Sequence, residues 1–375
     1  MSGHALFSGD IWSAIPKGCG MHPYPTTPDG ITPEWLEKAL GHRIKTLIRT
    51  QSILNATASK LFFTIEYEEE ESTVLRPKHI CVKGGFNPAM MADQGLKNLL
   101  AAAYKTEARF FSLVAEKLNF ISVPKVWWSG WEEEQGIIIM DDLALQEYEF
   151  GNPEHTWSVE MVMLGVEQLA GLHASTWGYT TNDYPWIKPS YEGMIMGLAK
   201  LWYNMTQGED RPPLPEIIRF SRLRTVSAMK KHFRTKNPDF QCLIHGDPHT
   251  GNTYIDGDGN PKFLDWQTFH IGSPFHDLSY FIVGGLSVAD RKRHEIPIIH
   301  HYLDYLWRFG GPKLDINDPV VFREYRKSMM SGMGWILTPY DLQPKERVFA
   351  MSERYAAAIV DLKTIELIES LPDTR

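Results

Sequence analysis

The reading of this chain turns on His245-Gly246-Asp247-Pro248-His249-Thr250-Gly251-Asn252, followed by Leu264-Asp265-Trp266. The first stretch comes directly after an apolar run, Cys242-Leu243-Ile244, so its polar groups sit in a loop at the end of a buried strand. A loop fixed on a rigid strand is a common seat for chemistry. Asp247 can take a proton or orient a hydroxyl. Asn252 offers a neutral oxygen, and Asp265, at the end of the next hairpin, offers a carboxylate. Mg²⁺ binds few protein groups, usually one or two carboxylates completed by water and phosphate oxygens. One amide oxygen and one carboxylate meet that need. A separate Asp meets the need for a base in phosphoryl transfer.

The Asp-x-x-x-x-Asn spacing is also that of the catalytic loop of protein kinases. The octapeptide as a whole resembles the signature of aminoglycoside phosphotransferases and their relatives, the choline, ethanolamine and ecdysteroid kinase-like enzymes, and the likeness runs in order from about Arg43 to Leu306. The resemblance implies an α+β, two-lobed, protein-kinase-like fold, with a small mixed β-sheet lobe carrying one helix and a larger, mainly helical lobe. It implies ATP and Mg²⁺ in the cleft, Asp247 as catalytic base, and Asn252 and Asp265 as metal ligands. His245 and His249 then shape the loop. Asp277, in Pro274-Phe275-His276-Asp277-Leu278, matches a family carboxylate that braces the loop, and Leu169-Ala170-Gly171-Leu172-His173 matches the helix packed beneath it.

Upstream residues agree. Lys83 ends the run Cys81-Val82-Lys83, and in a kinase fold such a lysine contacts the α- and β-phosphates and pairs with a helix glutamate. Glu107 falls on the apolar side of its helix, where an unpaired carboxylate is costly, so Lys83 is its natural partner. Met140, Asp141 and Leu143 lie in the expected hinge that grips adenine through the backbone. The nucleotide loop, Thr50 to Ser59, contains no glycine, so the hydroxyls of Ser52, Thr57 and Ser59 are expected to replace some backbone donors. Asp265 is followed by Trp266-Gln267 rather than Phe-Gly. The activation-loop machinery of protein kinases is missing, which points to a small-molecule hydroxyl acceptor and away from a protein substrate.

Hydrophobic period supplies the frame. Thr32-Pro33-Glu34 opens a helix that ends near Gly41. Strands are expected over Arg43–Arg49, Leu61–Tyr67 and Lys78–Lys83, with a solvated tip at Glu68–Glu71. A helix over Asp93–Leu118 carries Leu96, Leu99, Leu100, Ala103, Phe110, Val114 and Leu118 on its inner face. Strands follow at Lys125–Ser129 and Gly136–Met140. Beyond Asp141-Asp142-Leu143 helices dominate: Ser158–Ser175, Glu192–Met205, Leu214–Phe233, Arg291–Phe309, Pro319–Met333 and Pro344–Ser370. Only Phe240–Asp265 reads as strands there. The lobes are therefore placed at residues 1–140, which include an irregular arm from Met1 to Gly30, and residues 141–375.

Composition narrows the class. The chain has 375 residues, 43% hydrophobic and 22% charged, which is enough to bury a core and argues against disorder. A net charge of −8 with no basic block makes nucleic acid a poor partner. Three cysteines, Cys19, Cys81 and Cys242, match no metal or redox spacing and read as reduced thiols of a cytoplasmic protein. No signal peptide, membrane span or obligate protein partner is evident in the sequence.

Other readings compete. His245-x-Asp247-x-His249 suggests a metallohydrolase, but zinc needs three or four convergent ligands and no further His pair is suitably placed. A kinase-like protein that binds nucleotide without turnover is the other alternative. Asp256-Gly257-Asp258-Gly259-Asn260 is a hairpin turn rather than a calcium loop, since Pro261 and Gln267 stand where Gly and Glu are required. Trp202, Trp266, Trp307 and Trp335 read first as core and, for Trp335, as a candidate pocket wall.

Overall fold

In a computed structural model of the chain, residues 23–55, 57–69, 74–92, 95, 97–188 and 191–372 are described. Most of the expected N-terminal arm, with Cys19, lies outside them, as do Glu70, Glu71, Asp93 and Leu96. The chain forms two compact units, one running to Lys117 and taking in Pro124–Gln146, the other made of Leu118–Val123 and Glu147–Arg375.

The first unit opens on helix α1 (Pro33–Leu40). The Thr32 hydroxyl accepts the Trp35 N–H at its start, and Gly41 closes it at φ 74°. Strands β1 (Ile44–Leu54), β2 (Ser59–Tyr67), β3 (His79–Gly84), β4 (Val126–Trp131) and β5 (Gly136–Asp141) form one sheet in the order β1-β2-β3-β5-β4. Every neighbouring pair is antiparallel, so the sheet is not mixed. Helices α2 (Pro88–Ala92) and α3 (Lys97–Leu113) bring β4 back in the direction of β3, but β5 folds between the two strands. Strand β1 also overturns the expected loop over Thr50–Ser59. After a bulge near Arg49 it stays paired from Gln51, opposite Phe62, to Leu54, opposite Ser59. Its hydroxyl and amide residues face solvent, where a strand tolerates them, so the strand runs on to Leu54 and β2 begins at Ser59.

Leu36, Leu61, Ile80, Val82, Trp128, Ile137 and Ile139 form the core of this unit. Helix α3 buries Leu100, Ala101, Tyr104, Ala108 and Phe111, leaving Leu99 exposed. The buried stripe runs through Tyr104 rather than Ala103, because the bulky ring, not the methyl, fills the space over the sheet.

The second unit holds β6 (Glu149–Phe150), α4 (Val159–Ser175), α5 (Tyr191–Leu198), α6 (Trp202–Gln207), α7 (Glu216–Arg219), α8 (Arg222–Arg234), β7 (Cys242–Ile244), β8 (Thr253–Ile255), β9 (Pro261–Phe263), β10 (His270–Gly272), α9 (Pro274–Gly285), α10 (Val288–Arg308), α11 (Pro319–Ser328), α12 (Met333–Ile336), α13 (Lys345–Asp361) and α14 (Thr364–Ser370). β7 pairs with β10, and β8 lies between β6 and β9. Helix α9 has no exposed face at all, since all twelve of its residues are buried. It is the central post of this unit. A helix buried all round belongs in a core, and each large apolar side chain such as Phe275, Leu278 or Phe281 contributes roughly 1.5–3 kcal/mol there. The Asp256 carboxylate accepts from the Asp258 and Asn260 N–H groups and closes the β8–β9 hairpin turn. Cys81 and Cys242 are free, buried thiols. Among the described residues no helix is long and apolar enough to cross a membrane.

Candidate functional site

The loop after β7 is pinned from below by Asp277, in the first turn of α9. One Asp277 oxygen accepts the His245 N–H at 2.6 Å and the other the Gly246 N–H at 2.9 Å. His173 of α4 adds a third hydrogen bond at 3.2 Å, and its other ring nitrogen meets the Tyr302 hydroxyl at 2.8 Å. Asp277 and His173 are fully buried. Burial alone would raise the Asp277 carboxyl, but the His173 hydrogen bond and the surrounding imidazoles hold it below its ordinary value. Gly246 has to be glycine. Its φ is +86°, and a Cβ there would meet the Thr268 carbonyl oxygen at 2.5 Å.

This brace presents Asp247, whose side chain is 29% exposed. The Asn252 amide nitrogen donates to the Asp247 carbonyl at 2.9 Å and to its carboxylate at 3.3 Å. The Tyr280 hydroxyl, one turn beyond Asp277, bonds the same carboxyl. Withdrawal from water pushes Asp247 up to about 7 despite the Tyr280 and Asn252 hydrogen bonds, and the Asp265 charge adds to the rise. Tyr280 is a contributor that sequence reading missed, because a helix without a polar face gives no signal that one of its aromatics reaches a carboxylate.

Asp265 follows β9 in a left-handed backbone conformation, φ 64° and ψ 66°, which is uncommon outside glycine. The charge of Asp265 acts on both Asp247 and His249, so the three are brought together. The donor set fits Mg²⁺. The Asn252 amide nitrogen is committed to Asp247, so its oxygen is the atom left for a cation, and with the Asp265 carboxylate the set offers hard oxygen atoms alone.

The histidines do other work. His245 donates from Nε2 to the Leu264 carbonyl at 2.8 Å, and its Nδ1 accepts the Asp247 N–H at 3.3 Å. His249 accepts the Gly251 N–H at 3.0 Å, turns its other nitrogen toward Asp247 at 3.6 Å, and is pushed down to about 3 by burial and by His245. Backbone contacts occupy both nitrogens of His245 and one of His249, and among the described residues no cluster of three His, Cys, Asp or Glu is arranged to hold a metal. Trp335 stands edge-on to His249 at 5.2 Å, whereas Trp202 and Trp266 are core and Trp307 is half exposed.

In the first unit Lys83 and Glu107 are both buried, and Lys83 Nζ lies 2.8 and 2.9 Å from the two carboxylate oxygens of Glu107. Ser59 is also buried, and its hydroxyl oxygen has no hydrogen-bond partner. Ser52 is exposed on β1 and Thr57 is exposed in the turn, so the three hydroxyls do not form one loop. Met140 pairs with Cys81 inside the sheet, Asp141 accepts the Trp127 indole N–H at 2.6 Å, and Leu143 is buried just beyond.

A buried ion pair is costly to break from one side. Lys83→Met should therefore destabilise the protein by about 3 kcal/mol, and Lys83→Met/Glu107→Leu should recover most of that loss while still failing to respond to nucleotide. Urea unfolding of both variants checks this. Full recovery of the nucleotide response in the double variant would mean that the pair serves stability alone.

The model of the ecdysteroid kinase-like family matches residues 64–309. No curated protein matches the chain. Similar solved structures include a macrolide 2'-phosphotransferase from Brachybacterium faecium, with 18% identity, 91% of this chain and 98% of that one covered, and a TM-score of 0.46. Amicoumacin kinase in complex with AMP-PNP and Ca²⁺ has 14% identity, coverage of 90% and 93%, and a TM-score of 0.49. An ethanolamine kinase from Plasmodium vivax has 11% identity, coverage of 85% and 82%, and a TM-score of 0.46. With an α+β fold, a braced loop of the expected sequence and a family match over most of its length, the chain belongs to the ecdysteroid kinase-like family of small-molecule phosphotransferases.

Proposed function

We propose that the protein transfers the γ-phosphoryl group of ATP, with Mg²⁺, to a hydroxyl of a small molecule. The observation that carries the reading is the pinned loop. Asp277 holds two consecutive backbone N–H groups, and the loop so fixed carries Asp247 with the Asn252 amide turned onto it. Such preorganisation suits a reaction in which the protein's contribution is mostly positioning and charge.

In this reading Asp247 orients the acceptor hydroxyl and takes its proton as the new O–P bond forms and the bond to the β-phosphate oxygen breaks. Tyr280 holds the Asp247 carboxyl in place. Lys83, fixed by Glu107, steadies the α- and β-phosphates. The Ser59 hydroxyl is the best placed of the three hairpin hydroxyls for a phosphate oxygen, because it is buried with its oxygen unsatisfied. Met140, Asp141 and Leu143 offer backbone groups to the base. Mg²⁺ held by Asn252 and Asp265 would offset the charge of the triphosphate.

The second unit contains a cavity of about 300 Å³ whose lining includes Tyr191, Phe233, Phe240, His270 and His276. His276 bonds the Gly246 carbonyl at 2.9 Å, so the cavity adjoins the catalytic loop. Of its two carboxylates, Glu324 is tied to Lys327 at 2.7 Å. The lining mixes aromatic and imidazole rings with Glu192, Lys236, Asn237 and Gln241, so the acceptor is a molecule with both apolar and polar parts, and a lipophilic alcohol, an amino alcohol and an amino sugar all belong in an acceptor screen.

Thermal unfolding tests the nucleotide part. Mg-ATP at a hundred times its Kd should raise the Tm of the wild type by about 3–5 °C, and Asp265→Ala should lose that response. If neither Mg-ATP nor Mg-GTP shifts the wild type at millimolar concentration, the reading fails.

A further inference from the structure

Helix α8 and the turn before it carry a charge pattern that the kinase reading does not use. From Ile217 to Pro238 there are seven Lys or Arg residues and no Asp or Glu, in a chain whose net charge is −8. Arg224 and Lys231 of these are tied to α14. Arg224 is held by Glu369 and Glu366 of α14, and Lys231 donates to the Glu369 carbonyl. The outward stripe of the segment, at helical spacing, is Phe220, Leu223, Ser227, Lys230 and Arg234, all exposed. Leu223 is 80% exposed and Phe220 60%. Tyr203 of α6, also 60% exposed, joins the same patch, because the Arg222 guanidinium lies 5.8 Å from its ring. Arg219 lies 5.1 Å from the Phe220 ring, and its carbonyl accepts the Gln207 side-chain amide at 3.0 Å.

We infer that this face binds the surface of an anionic membrane. Tyr203 on α6, Leu223 on α8 and Phe220 in the turn between α7 and α8 project from the surface and line no part of the cavity described above, so they suit insertion between headgroups. Each is flanked by a cation whose aliphatic stem can lie along it while the charge stays at phosphate level. Aromatic rings paired with arginine are at home at that depth. The charge complementarity is with anionic lipid, since each basic residue near such a surface adds to the attraction and the effect is screened by salt. A lipophilic acceptor partitions into the same surface, but the inference stands on the patch and not on the acceptor.

Co-sedimentation of the full chain with vesicles tests it. Wild type should bind phosphatidylcholine vesicles containing about 30% phosphatidylserine at least tenfold better than pure phosphatidylcholine, and about 0.5 M salt should remove most of the difference. Arg219→Glu/Lys230→Glu and Phe220→Ser/Leu223→Ser should each lower binding roughly tenfold or more with unchanged Tm, because the altered side chains are exposed. Equal binding to both vesicles, no binding to either, or binding that neither variant alters would overturn the inference. So would retention by polyglutamate without retention by vesicles, which would assign the face to an acidic protein.

Discussion

Asp247→Asn should lower kcat for phosphoryl transfer by about 10²–10⁴-fold while leaving the thermal response to Mg-ATP intact. The substitution is nearly isosteric. The Asn252 amide can still donate to the new side-chain oxygen and to the unchanged carbonyl of residue 247, so the loop should keep its shape. What disappears is the capacity to accept the proton of the acceptor hydroxyl. Loss of a positioned base that leaves binding untouched appears in kcat and not in KM for nucleotide. The measurement is transfer from γ-labelled ATP to a panel holding a lipophilic alcohol, an amino alcohol and an amino sugar. A variant as active as the wild type would remove Asp247 from the chemistry. If the wild type is stabilised by Mg-ATP yet transfers to none of the panel under conditions where a known kinase does, the catalytically silent alternative gains the ground.

The loop that carries this prediction was readable in the sequence because its members are close together. Asp247 and Asn252 are fixed by five residues of spacing, and the apolar Cys242-Leu243-Ile244 before them announces the strand. Helix α4 was readable for a similar local reason, since Ser158 caps it by accepting the Met161 N–H and its buried positions recur with helical period. Helix α9 was not. Its twelve buried residues show no alternation between wet and dry faces, so periodicity had nothing to report, and only the Asp277 motif marked the place. The stretch Thr50–Leu54 failed in the opposite way. It is a strand with mostly exposed residues, and its Ser, Thr and Gln content imitates a loop. β10 and β6 are too short to leave a pattern, and their existence depends on partners, β7 and β8, distant in sequence. Tyr280 combines both obstacles, being aromatic in a buried helix and bonded to a carboxyl more than thirty positions earlier.

Asp277→Ala should be the most damaging single change for folding, costing about 4–5 kcal/mol with kcat reduced by at least a hundredfold in whatever folded fraction remains. Removing the carboxylate leaves the His245 and Gly246 N–H groups and the His173 ring without their acceptor in a site closed to water. Asp277→Asn separates geometry from charge. Its oxygen can replace the one that serves His245 and His173, but its NH₂ then faces the Gly246 N–H, donor against donor. Gly246 already sits at φ +86°, so the loop has little freedom to turn that N–H elsewhere, and the displacement passes directly to Asp247. A loss of about 2–3 kcal/mol is expected for Asn. The pH dependence has a definite sign. The folded carboxyl of Asp277 lies below its ordinary value, so its stabilisation is complete above the unfolded value near 3.9 and is lost as pH falls through the folded one. The stability gap between wild type and Asp277→Asn should therefore be constant from about pH 5 to 8 and narrow only below about pH 4. Urea unfolding across that range measures it. A gap that instead closes between pH 5 and 7 would mean that the site titrates through its histidines, and that the carboxylate is not what holds the loop.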